Sequence, residues 1–441
     1  MMNMEKYINL VGWGTLALLF SLLFFRTTLA GGLYVSAFGQ PNQGASNAGA
    51  GALAEDASTA FQNAAGIMFL DESKWLVTGL AIGTSIKFEQ DPTTGGVPPS
   101  VPDSNGNRPG SNGGEAGSTA IAGGVFYARP VNDKWGWGLS VASISGAILE
   151  YEQPQDFVGR YWATEVTLLT INVVPAVSYK VTDNLSLGLS IPVLFGILEM
   201  DVAIPGPTCL PGPLQCPEGL AQIKDGNDIT ATISLSTLWQ ATSRLRLGAT
   251  YLGKQDVNFD SDLEITSPTG VTSDAVASAV GFTFPQTIRT WAAQEVNDNL
   301  TLMATVAWED WSEFDSIAIS TPIGSGALPR NWDDTWHFGL GLRWRTGGPW
   351  TFYTGVAYDT NPTNASDRTA DMPIDEQWRL SGGTTYQFSG GSKLGVSLTY
   401  ADYGDAEINN GGNRPVSSLP WNVNGKYDTN RILFLGVNYG W

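Results

Sequence analysis

From Lys74 onward one pattern repeats along the chain: a segment of ten or more residues with alternating side-chain character, a very short turn, a second such segment, and a long polar loop. Side chains of a β-strand point alternately to two faces, so each segment has one apolar row. Hairpins with short turns at one end and long loops at the other are typical of transmembrane β-barrels. The pattern therefore predicts an all-β fold, a membrane-spanning antiparallel β-barrel.

The turns and loops give the number of strands. Short turns are predicted at residues 132–133, 183–184, 243–244, 297–299, 347–348 and 390–391, all built from turn-forming residues. Long loops are predicted near residues 91–116, 152–160, 202–226, 258–280, 314–332, 361–375 and 405–425. Together they predict about 14 strands, with the short turns and both chain termini in the periplasm of a Gram-negative bacterium.

The apolar rows and the aromatic residues favour a membrane barrel over a soluble β-sandwich, which can also alternate. Near residue 340, Trp336, Phe338, Leu340, Leu342 and Trp344 form one row, against His337, Gly339, Gly341, Arg343 and Arg345. Aromatic residues stand at strand ends beside turns, as interfacial girdles do: Trp135, Tyr179, Trp350 and Tyr439. The last strand ends on Trp441, which resembles the signal that the outer-membrane barrel assembly machinery reads.

Composition limits the possible partners. The net charge of −19, with 23 basic against 42 acidic residues, excludes a nucleic-acid partner, because phosphate binding needs clustered Lys and Arg. Outer-membrane lipid and lipopolysaccharide are the expected surroundings, and a monomer is expected. No motif indicates a cofactor, a metal site or an enzyme.

The N-terminus predicts a secretory signal peptide at residues 1–30. Lys6 precedes an apolar run at residues 11–25, and residues 28–30 (TLA) form a small-x-small cleavage site. Glu5 and Arg26 depart from this pattern, so a retained N-terminal anchor helix stays open as an alternative. Cys209 and Cys216 lie in a Pro- and Gly-rich loop, and a local disulfide is expected in an exported protein.

Residues 31–73 are rich in Gly, Ala and Ser and lack strand alternation. Within them, residues 54–66 (AEDASTAFQNAAG) resemble the A-x-D-A-S-x-x-F-x-N-P-A-G motif of the outer-membrane fatty acid and hydrocarbon transporters of the FadL/TodX family. Further likeness runs through VVPAVSYKVTDNLSLG, EDWSEF, NWDDTWHFGLGLRW and GVAYDTNP. The resemblance implies a hatch at residues 31–73 inside a barrel formed by residues 74–441.

The resemblance also implies roles for particular residues. The hatch and gating residues would be Asp56, Phe61, Asn63, Ala64, Ala65 and Gly66, where Ala64 replaces the usual Pro and leaves that turn less stiff. A kink in the third strand, the lateral opening of the family, would involve Ser143, Ser145 and Gly146, although a plain strand with small lumenal residues remains the alternative.

The function implied is passive uptake of a hydrophobic small molecule, through a lumenal apolar pocket and out through the barrel wall. Long-chain fatty acids are the first expectation, and aromatic or aliphatic hydrocarbons are the alternative. Arg379 points inward and is a candidate contact for a carboxylate, or else part of a charge network. A surface adhesin or structural barrel, and an outer-membrane hydrolase using His337, are alternatives of other classes.

Overall fold

The computed structural model describes residues 37–91, 110–205, 218–322, 324–409 and 423–441. Within these ranges one antiparallel sheet contains 21 strand segments. In chain order they are β1 (Lys74–Gln90), β2 (Thr119–Pro130), β3 (Trp135–Glu150), β4 (Glu165–Thr182), β5 (Leu185–Ser190), β6 (Val193–Pro205), β7 (Glu218–Ala231), β8 (Ser234–Thr242), β9 (Leu245–Leu252), β10 (Gln255–Thr266), β11 (Val276–Phe284), β12 (Thr287–Glu295), β13 (Leu300–Glu309), β14 (Ser316–Thr321), β15 (Gly324–Pro329), β16 (Thr335–Arg345), β17 (Trp350–Asp359), β18 (Gln377–Gln387), β19 (Lys393–Asp402), β20 (Ile408–Asn409) and β21 (Asn424–Gly440).

Short interruptions divide several spanning strands into two segments. β5 continues into β6, β7 into β8, β9 into β10, β11 into β12, β13 into β14, and β15 into β16. With the unbroken strands β1 to β4, β17, β18, β19 and β21, the described residues form 14 spanning strands. The strand number predicted from the sequence is confirmed.

Pairing of the first and last strands closes the barrel. β1 pairs with β21 from Leu76 opposite Gly440 to Gln90 opposite Gly425. Trp75 and Trp441 extend this seam, because the backbone N–H of each donates to the carbonyl oxygen of the other, at 2.8 and 3.1 Å. Closure leaves the sheet without a free edge, which is required in a bilayer because an unpaired edge strand would have no water to hydrogen-bond.

The six predicted turns join strands, but three predicted loops are wrong in part. Most of residues 258–280 and 314–332 lie in β10, β11, β14 and β15, and the described residues of the predicted loop 202–226 all lie in β6 and β7. The reason is a reversal of polarity at the long-loop end. In β10 the acidic Asp256 and Asp260 point outward, while Val257 and Phe259 point into the lumen. An acidic outer row above the bilayer resembles loop composition when only the sequence is read.

Closer to the short turns than this acidic row, the outer face of the barrel is apolar. In β16 the side chains of Trp336, Leu340 and Trp344 are exposed, and Leu340, the middle residue of the strand, is 65% exposed. Aromatic rings pair across strands close to the short turns, as Trp135 does with Tyr179 at a centroid distance of 4.7 Å. The outer surface thus has the apolar band and aromatic border that a bilayer demands.

The N-terminal segment, residues 37–73, precedes β1 and contains only short helical turns. They are Pro41–Ala45, Ala50–Leu53, Thr59–Gln62 and Ala64–Phe69, and a further one, Trp311–Glu313, follows β13. The segment contacts inward-facing residues of strands as far apart in the barrel as β5 and β17. In the described ranges, no helix is long and apolar enough to cross a membrane.

A charge placed on the outer face tests the assignment of that face to lipid. Leu340→Arg should reduce the free energy of unfolding in phospholipid vesicles by about 2–4 kcal/mol, the cost of Arg near the bilayer midplane. The matched control is Val296→Arg, at an exposed apolar residue beside the turn after β12, and its cost near the interface should be about 0–1 kcal/mol. Reversible guanidinium unfolding measures both. Equal costs would contradict the assignment.

Candidate functional site

The N-terminal segment fits the lumen because the wall residues beneath it are small. A Cβ atom at Gly355 of β17 would overlap the backbone of Ala45, and one at Gly188 of β5 would overlap the backbone of Ala65. The backbone of the segment therefore approaches the strand backbone directly at these points. Any larger side chain at either glycine would push the segment away from the wall.

Asn63 joins two parts of the segment to the wall. Its side-chain amide donates to the carbonyl oxygen of Gly51 at 2.7 Å and to that of Thr237 in β8 at 3.0 Å. Its amide oxygen accepts from the N–H of Ala65 at 3.2 Å, which caps the helical turn that begins at Ala64. The carbonyl oxygen of Ala65 in turn accepts from the hydroxyl of Ser186 at 2.6 Å. These neutral bonds hold the turn that carries the family motif.

Glu55 supplies the ionic attachment. Its carboxylate lies 2.5 Å from the guanidinium of Arg343 and 2.6 Å from that of Arg345, both in β16. Burial raises the pKa of Glu55, but the two guanidinium groups outweigh it and hold the pKa below its ordinary value. Glu55 therefore stays ionised and paired at neutral pH.

Asp56 has a local role. Its carboxylate accepts hydrogen bonds from the N–H of Ser58 at 2.8 Å and from the hydroxyl of Ser58 at 2.5 Å. Burial raises the pKa of Asp56, although the two bonds from Ser58 act in the opposite direction. The bonds fix the start of the helical turn Thr59–Gln62, which presents Phe61 to the lumen.

A cavity of about 150 Å³ lies between the N-terminal segment and the wall. Phe38 and Phe61 of the segment line it on one side, with ring centroids 5.0 Å apart. The wall contributes Asn172, Val174, Ser190, Pro192, Ser234, Thr250, Leu252, Thr287, Arg289, Trp291, Glu309, His337, Asp359 and Arg379, and the segment adds Asn47 and Gln62. The lining is thus a mixture of apolar, hydroxyl, amide and paired ionic groups.

Five ionisable residues form a belt along one side of this cavity, on the consecutive neighbours β12, β13, β16, β17 and β18. Asp359 stands opposite His337 in the strand register, and its carboxylate is 2.8 Å from His337 Nδ1. The same carboxylate is 2.9 Å from the guanidinium of Arg379. Arg289 and Glu309 form a second ion pair at 2.8 Å. Each guanidinium in the belt therefore has a carboxylate partner.

The space on the long-loop side of the cavity is filled by a large apolar cluster. It contains Phe38 and residues of the wall and of the outer loops: Phe126, Leu168, Leu194, Leu198, Phe259, Phe282, Phe284, Trp311, Phe314, Trp332, Met372 and Ile374, with Phe61 packed against them. Because the cluster reaches from the N-terminal segment to the outer loops, apolar surface is continuous along the lumen.

The outer mouth is covered by loops that buried arginines hold. Arg330, which follows β15, binds the carboxylate of Asp371 through two hydrogen bonds of 3.0 and 2.6 Å. Arg368 donates to the carbonyl oxygen of Ile374 at 2.8 Å and pairs with Asp375 at 3.2 Å. The loop between β17 and β18 is thereby fixed over the lumen.

The barrel wall has a gap in its hydrogen bonding between β2 and β3. Their pairing runs from Pro130 opposite Gly136 to Gly124 opposite Ala142 and is not continued by the described residues 119–123 and 143–149. In β3 the register against β4 shifts by one residue between Ser143 and Ser145, which leaves Ile144 as an extra residue. A bond from Glu150 N–H to the carbonyl oxygen of Ala116, 3.2 Å long, rejoins the two sides beyond the gap.

The gap lies beside the cavity. Phe126, in the paired part of β2, is 6.0 Å from Phe61 between ring centroids. Asn172, which lines the cavity, stands on β4 opposite Ala142, the last residue of β3 that pairs with β2. A molecule in the cavity is therefore separated from the gap by Phe61 and the end of β3.

The structure brings together most of the residues predicted from the sequence. Asp56, Phe61, Asn63, Ala64, Ala65 and Gly66 lie in the N-terminal segment against the wall, and Arg379 lines the cavity. Ser143 and Ser145 flank the register shift, and Gly146 follows it. Cys209 and Cys216 lie outside the described residues, so their disulfide stays a prediction.

Sequence reasoning missed Glu55, Asp359 and Asn172. Glu55 stands inside the family motif, next to Asp56, and its signal is a charge in a segment otherwise poor in charge. Asp359 ends β17, just before the loop predicted at residues 361–375. Asn172 is an amide within an apolar stretch of β4, and a polar residue at a strand position that should be lumenal was its signal.

The described residues do not form a metal centre or a serine–histidine pair. In the described part of the chain, no group of three or more His, Cys, Asp and Glu residues is placed to hold a metal ion. His337 lies in the cavity with its Nδ1 on Asp359, and within the described ranges no serine hydroxyl is hydrogen-bonded to its ring. The geometry therefore offers no serine nucleophile activated by this histidine.

The sequence and the fold both match known proteins. The family described as "Outer membrane protein transport protein (OMPP1/FadL/TodX)" matches residues 22–439. The chain is 23% identical over 404 residues to a long-chain fatty acid transport protein of Salmonella typhi, covering 86% of this chain and 89% of that protein.

Solved structures give the same fold. A FadL homologue of Pseudomonas aeruginosa superposes with a TM-score of 0.82 at 20% identity, over 93% of this chain and 99% of that one. The toluene transporter TbuX of Ralstonia pickettii superposes with a TM-score of 0.66 at 17% identity, over 92% and 98%. At these identities the structural likeness establishes the barrel fold.

Loss of the Glu55 carboxylate should loosen the N-terminal segment without unfolding the barrel. Glu55→Gln leaves Arg343, which is 1% exposed, with only the more distant Glu295, at 4.0 Å, as an anionic partner, so the opening free energy of residues 50–66 should fall by about 1–3 kcal/mol. Hydrogen exchange measured by mass spectrometry follows those residues. Glu72→Gln is the matched control, because Glu72 pairs with Lys74 at the exposed start of β1. Unchanged exchange in Glu55→Gln would contradict the ionic attachment.

Proposed function

The chain belongs to the OMPP1/FadL/TodX family of outer membrane transport proteins, and we propose that it admits hydrophobic molecules through its lumen by passive, energy-independent diffusion. It is an outer-membrane β-barrel, as its sequence predicted. The observation that carries the proposal is the continuous path of apolar surface, cavity and wall gap. Such a path suits an apolar ligand, whose burial gains about 25 cal/mol per Å² without precise polar contacts.

The route begins at the outer loops and the apolar cluster. A ligand that displaces part of this cluster keeps apolar contacts throughout, so its entry needs no polar channel. The cavity beside Phe61 is the next position along the lumen. From there the ligand reaches Phe126 and the end of the β2–β3 pairing. We propose that it leaves there, laterally, into the bilayer.

The proposed organisation is a signal peptide at residues 1–30, a hatch at residues 31–73 and the barrel at residues 74–441. Residues 1–36 lie outside the described residues. The attachment of the N-terminal segment by Glu55 and Asn63 supports its role as a hatch, since it obstructs the lumen at the end where the short turns lie. With the axial way obstructed, a lateral exit needs only a local shift of Phe61.

The ligand classes expected from the sequence remain candidates. The name of the relative in Salmonella typhi specifies long-chain fatty acids, and the name of the transporter of Ralstonia pickettii specifies toluene. An apolar lumen accepts the chain or ring of either. The two classes differ in the head group, so the charged residues of the cavity bear on which class of ligand the protein prefers.

Other classes of function have less support. An adhesin or purely structural barrel has no use for a cavity that adjoins a gap in its own wall. A hydrolase would need a nucleophile beside His337, whose Nδ1 is bound to Asp359. We therefore propose a channel without catalytic activity, acting as a monomer.

Uptake by intact cells tests the route. In a Gram-negative strain without its own family member, expression of this chain should increase the uptake of radiolabelled hydrophobic ligands severalfold. Phe61→Asp places a charge between cavity and gap and should reduce that increase by roughly 10-fold, because a buried unpaired carboxylate is costly to pass. Phe388→Asp, an exposed aromatic residue near the short-turn end, is the matched control. Equal uptake by both variants would exclude the route past Phe61.

Restoring regular pairing tests the lateral exit. Deletion of Ile144 removes the extra residue of the bulge, so β3 can continue its pairing with β2 and uptake should fall towards the level of cells without the protein. Deletion of Asp428 is the control, because it removes the extra residue at the register shift of β21 against β1. Heat-dependent mobility in detergent gels checks that both barrels are folded. Normal uptake by a folded barrel lacking Ile144 would place the exit elsewhere.

A further inference from the structure

The cations around the cavity are already neutralised by the protein itself. Arg379 lies 2.9 Å from Asp359, and Arg289 lies 2.8 Å from Glu309. Apart from His337, the belt holds two positive and two negative charges, which sum to zero. Nearer the outer loops, the described cations Lys87, Arg160, Lys224, Lys254, Arg330, Arg368 and Lys426 each have a carboxylate within 4.0 Å as well.

This pairing works against an ionised ligand. A fatty acid carboxylate in the cavity would meet Asp359 and Glu309, which hold the same charge. To bind Arg379 it would either displace Asp359, which leaves a buried carboxylate without its partner, or bind beside Asp359, which places two anions on one buried guanidinium. The first arrangement gains no ion pair overall, and the second leaves a net negative charge in the site.

Neutral hydrogen-bonding groups are available in the same cavity. Asn172 is 3% exposed, and its amide oxygen has no hydrogen-bond partner among the described residues. An unsatisfied buried acceptor costs free energy that a donor on the ligand would recover. The hydroxyl groups of Ser190, Ser234 and Thr287 line the cavity beside it and offer both donors and acceptors.

We infer that the cavity receives the head group of an uncharged, oxygen-bearing amphiphile, such as a long-chain alcohol, in preference to the carboxylate of a fatty acid. A ligand hydroxyl can donate to the amide oxygen of Asn172 while its chain lies against the aromatic residues of the apolar cluster. The inference rests on the proposed function, since it names the ligand class of the same lumenal site.

Three ligands of equal chain length separate head-group effects from chain burial. Dodecan-1-ol, dodecanoate and dodecane, each radiolabelled, are bound to the full-length barrel in mild detergent at pH 8, where the carboxylate is ionised. The dissociation constant of each comes from retention of the ligand with the protein, corrected for protein-free micelles. Dodecan-1-ol should bind roughly 10-fold more tightly than either of the others, the effect of one recovered hydrogen bond.

Two substitutions assign the preference to named groups. Asp359→Asn removes the carboxylate that lies 2.9 Å from Arg379 and should tighten the binding of dodecanoate by roughly 10-fold, because the ligand then no longer meets that negative charge. Glu309→Gln removes the carboxylate partner of Arg289 in the same way, and it replaces the first variant in the experiment if that variant folds poorly. Asn172→Leu should remove the preference for the alcohol over dodecane. Asp405→Asn, which frees Lys426 at the exposed outer loops, is the control for charge and should change nothing.

The outcomes distinguish this inference from the proposed function. If none of the three ligands is retained, the proposed lumenal route itself fails. If the unchanged protein binds dodecanoate as tightly as the alcohol, the route stands and a charged head group is accepted, which overturns the inference. If dodecane binds as tightly as the alcohol, the ligand is a hydrocarbon and the inference is likewise overturned.

Discussion

The backbone of a membrane protein has no water to bind, so each strand in the bilayer needs a hydrogen-bonded neighbour on both sides. This requirement explains the closing pair β1 and β21 and the reciprocal bonds between Trp75 and Trp441. It also gives weight to the gap in the described wall where β2 and β3 stop pairing while both continue as strands. Unpaired strand backbone is costly in a bilayer, which supports a functional use of this gap.

Closure also decides what can occupy the lumen. Because lipid requires an apolar outer row only where a strand crosses the bilayer, the inner row is free to be small, polar or charged. Where the row is glycine, as at Gly188 and Gly355, the N-terminal segment approaches the wall backbone. Where the row carries charges, neighbouring strands supply the opposite sign, as β17 does for β18 through Asp359 and Arg379. The alternation of side-chain direction thus provides both the surface against which the N-terminal segment packs and a cavity whose charges are paired.

The sequence predicts the parts of this structure that depend on residues close together in the chain. Alternation gave the outward row of β16 and the inward directions of His337 and Arg379. It failed in β10, because the rule that apolar residues face outward reverses where the strand leaves the bilayer. There the polarity of a residue predicts the direction of its side chain only if the position of that residue relative to the bilayer is known.

The candidate site depends on contacts between distant residues, which one sequence does not reveal. Arg379 could be assigned an inward direction, but its partner Asp359 is set by the register of β17 against β18. Glu55 meets Arg345 across 290 positions of the chain. The family motif located the segment that holds Glu55 and Asn63, but not the wall residues that bind them.

The bulge in β3 lies where the gap in the wall meets the cavity. An extra residue in one strand bends it and increases its local twist. Here the extra residue, Ile144, follows the last pair between β2 and β3 by two positions, while β3 stays paired with β4 on both sides of it. Asn172 lies on that partner strand and faces the cavity. In the proposed route, a ligand head group at Asn172 lies beside the end of the β2–β3 pairing, so lateral release needs a movement of Phe61 and not of the barrel.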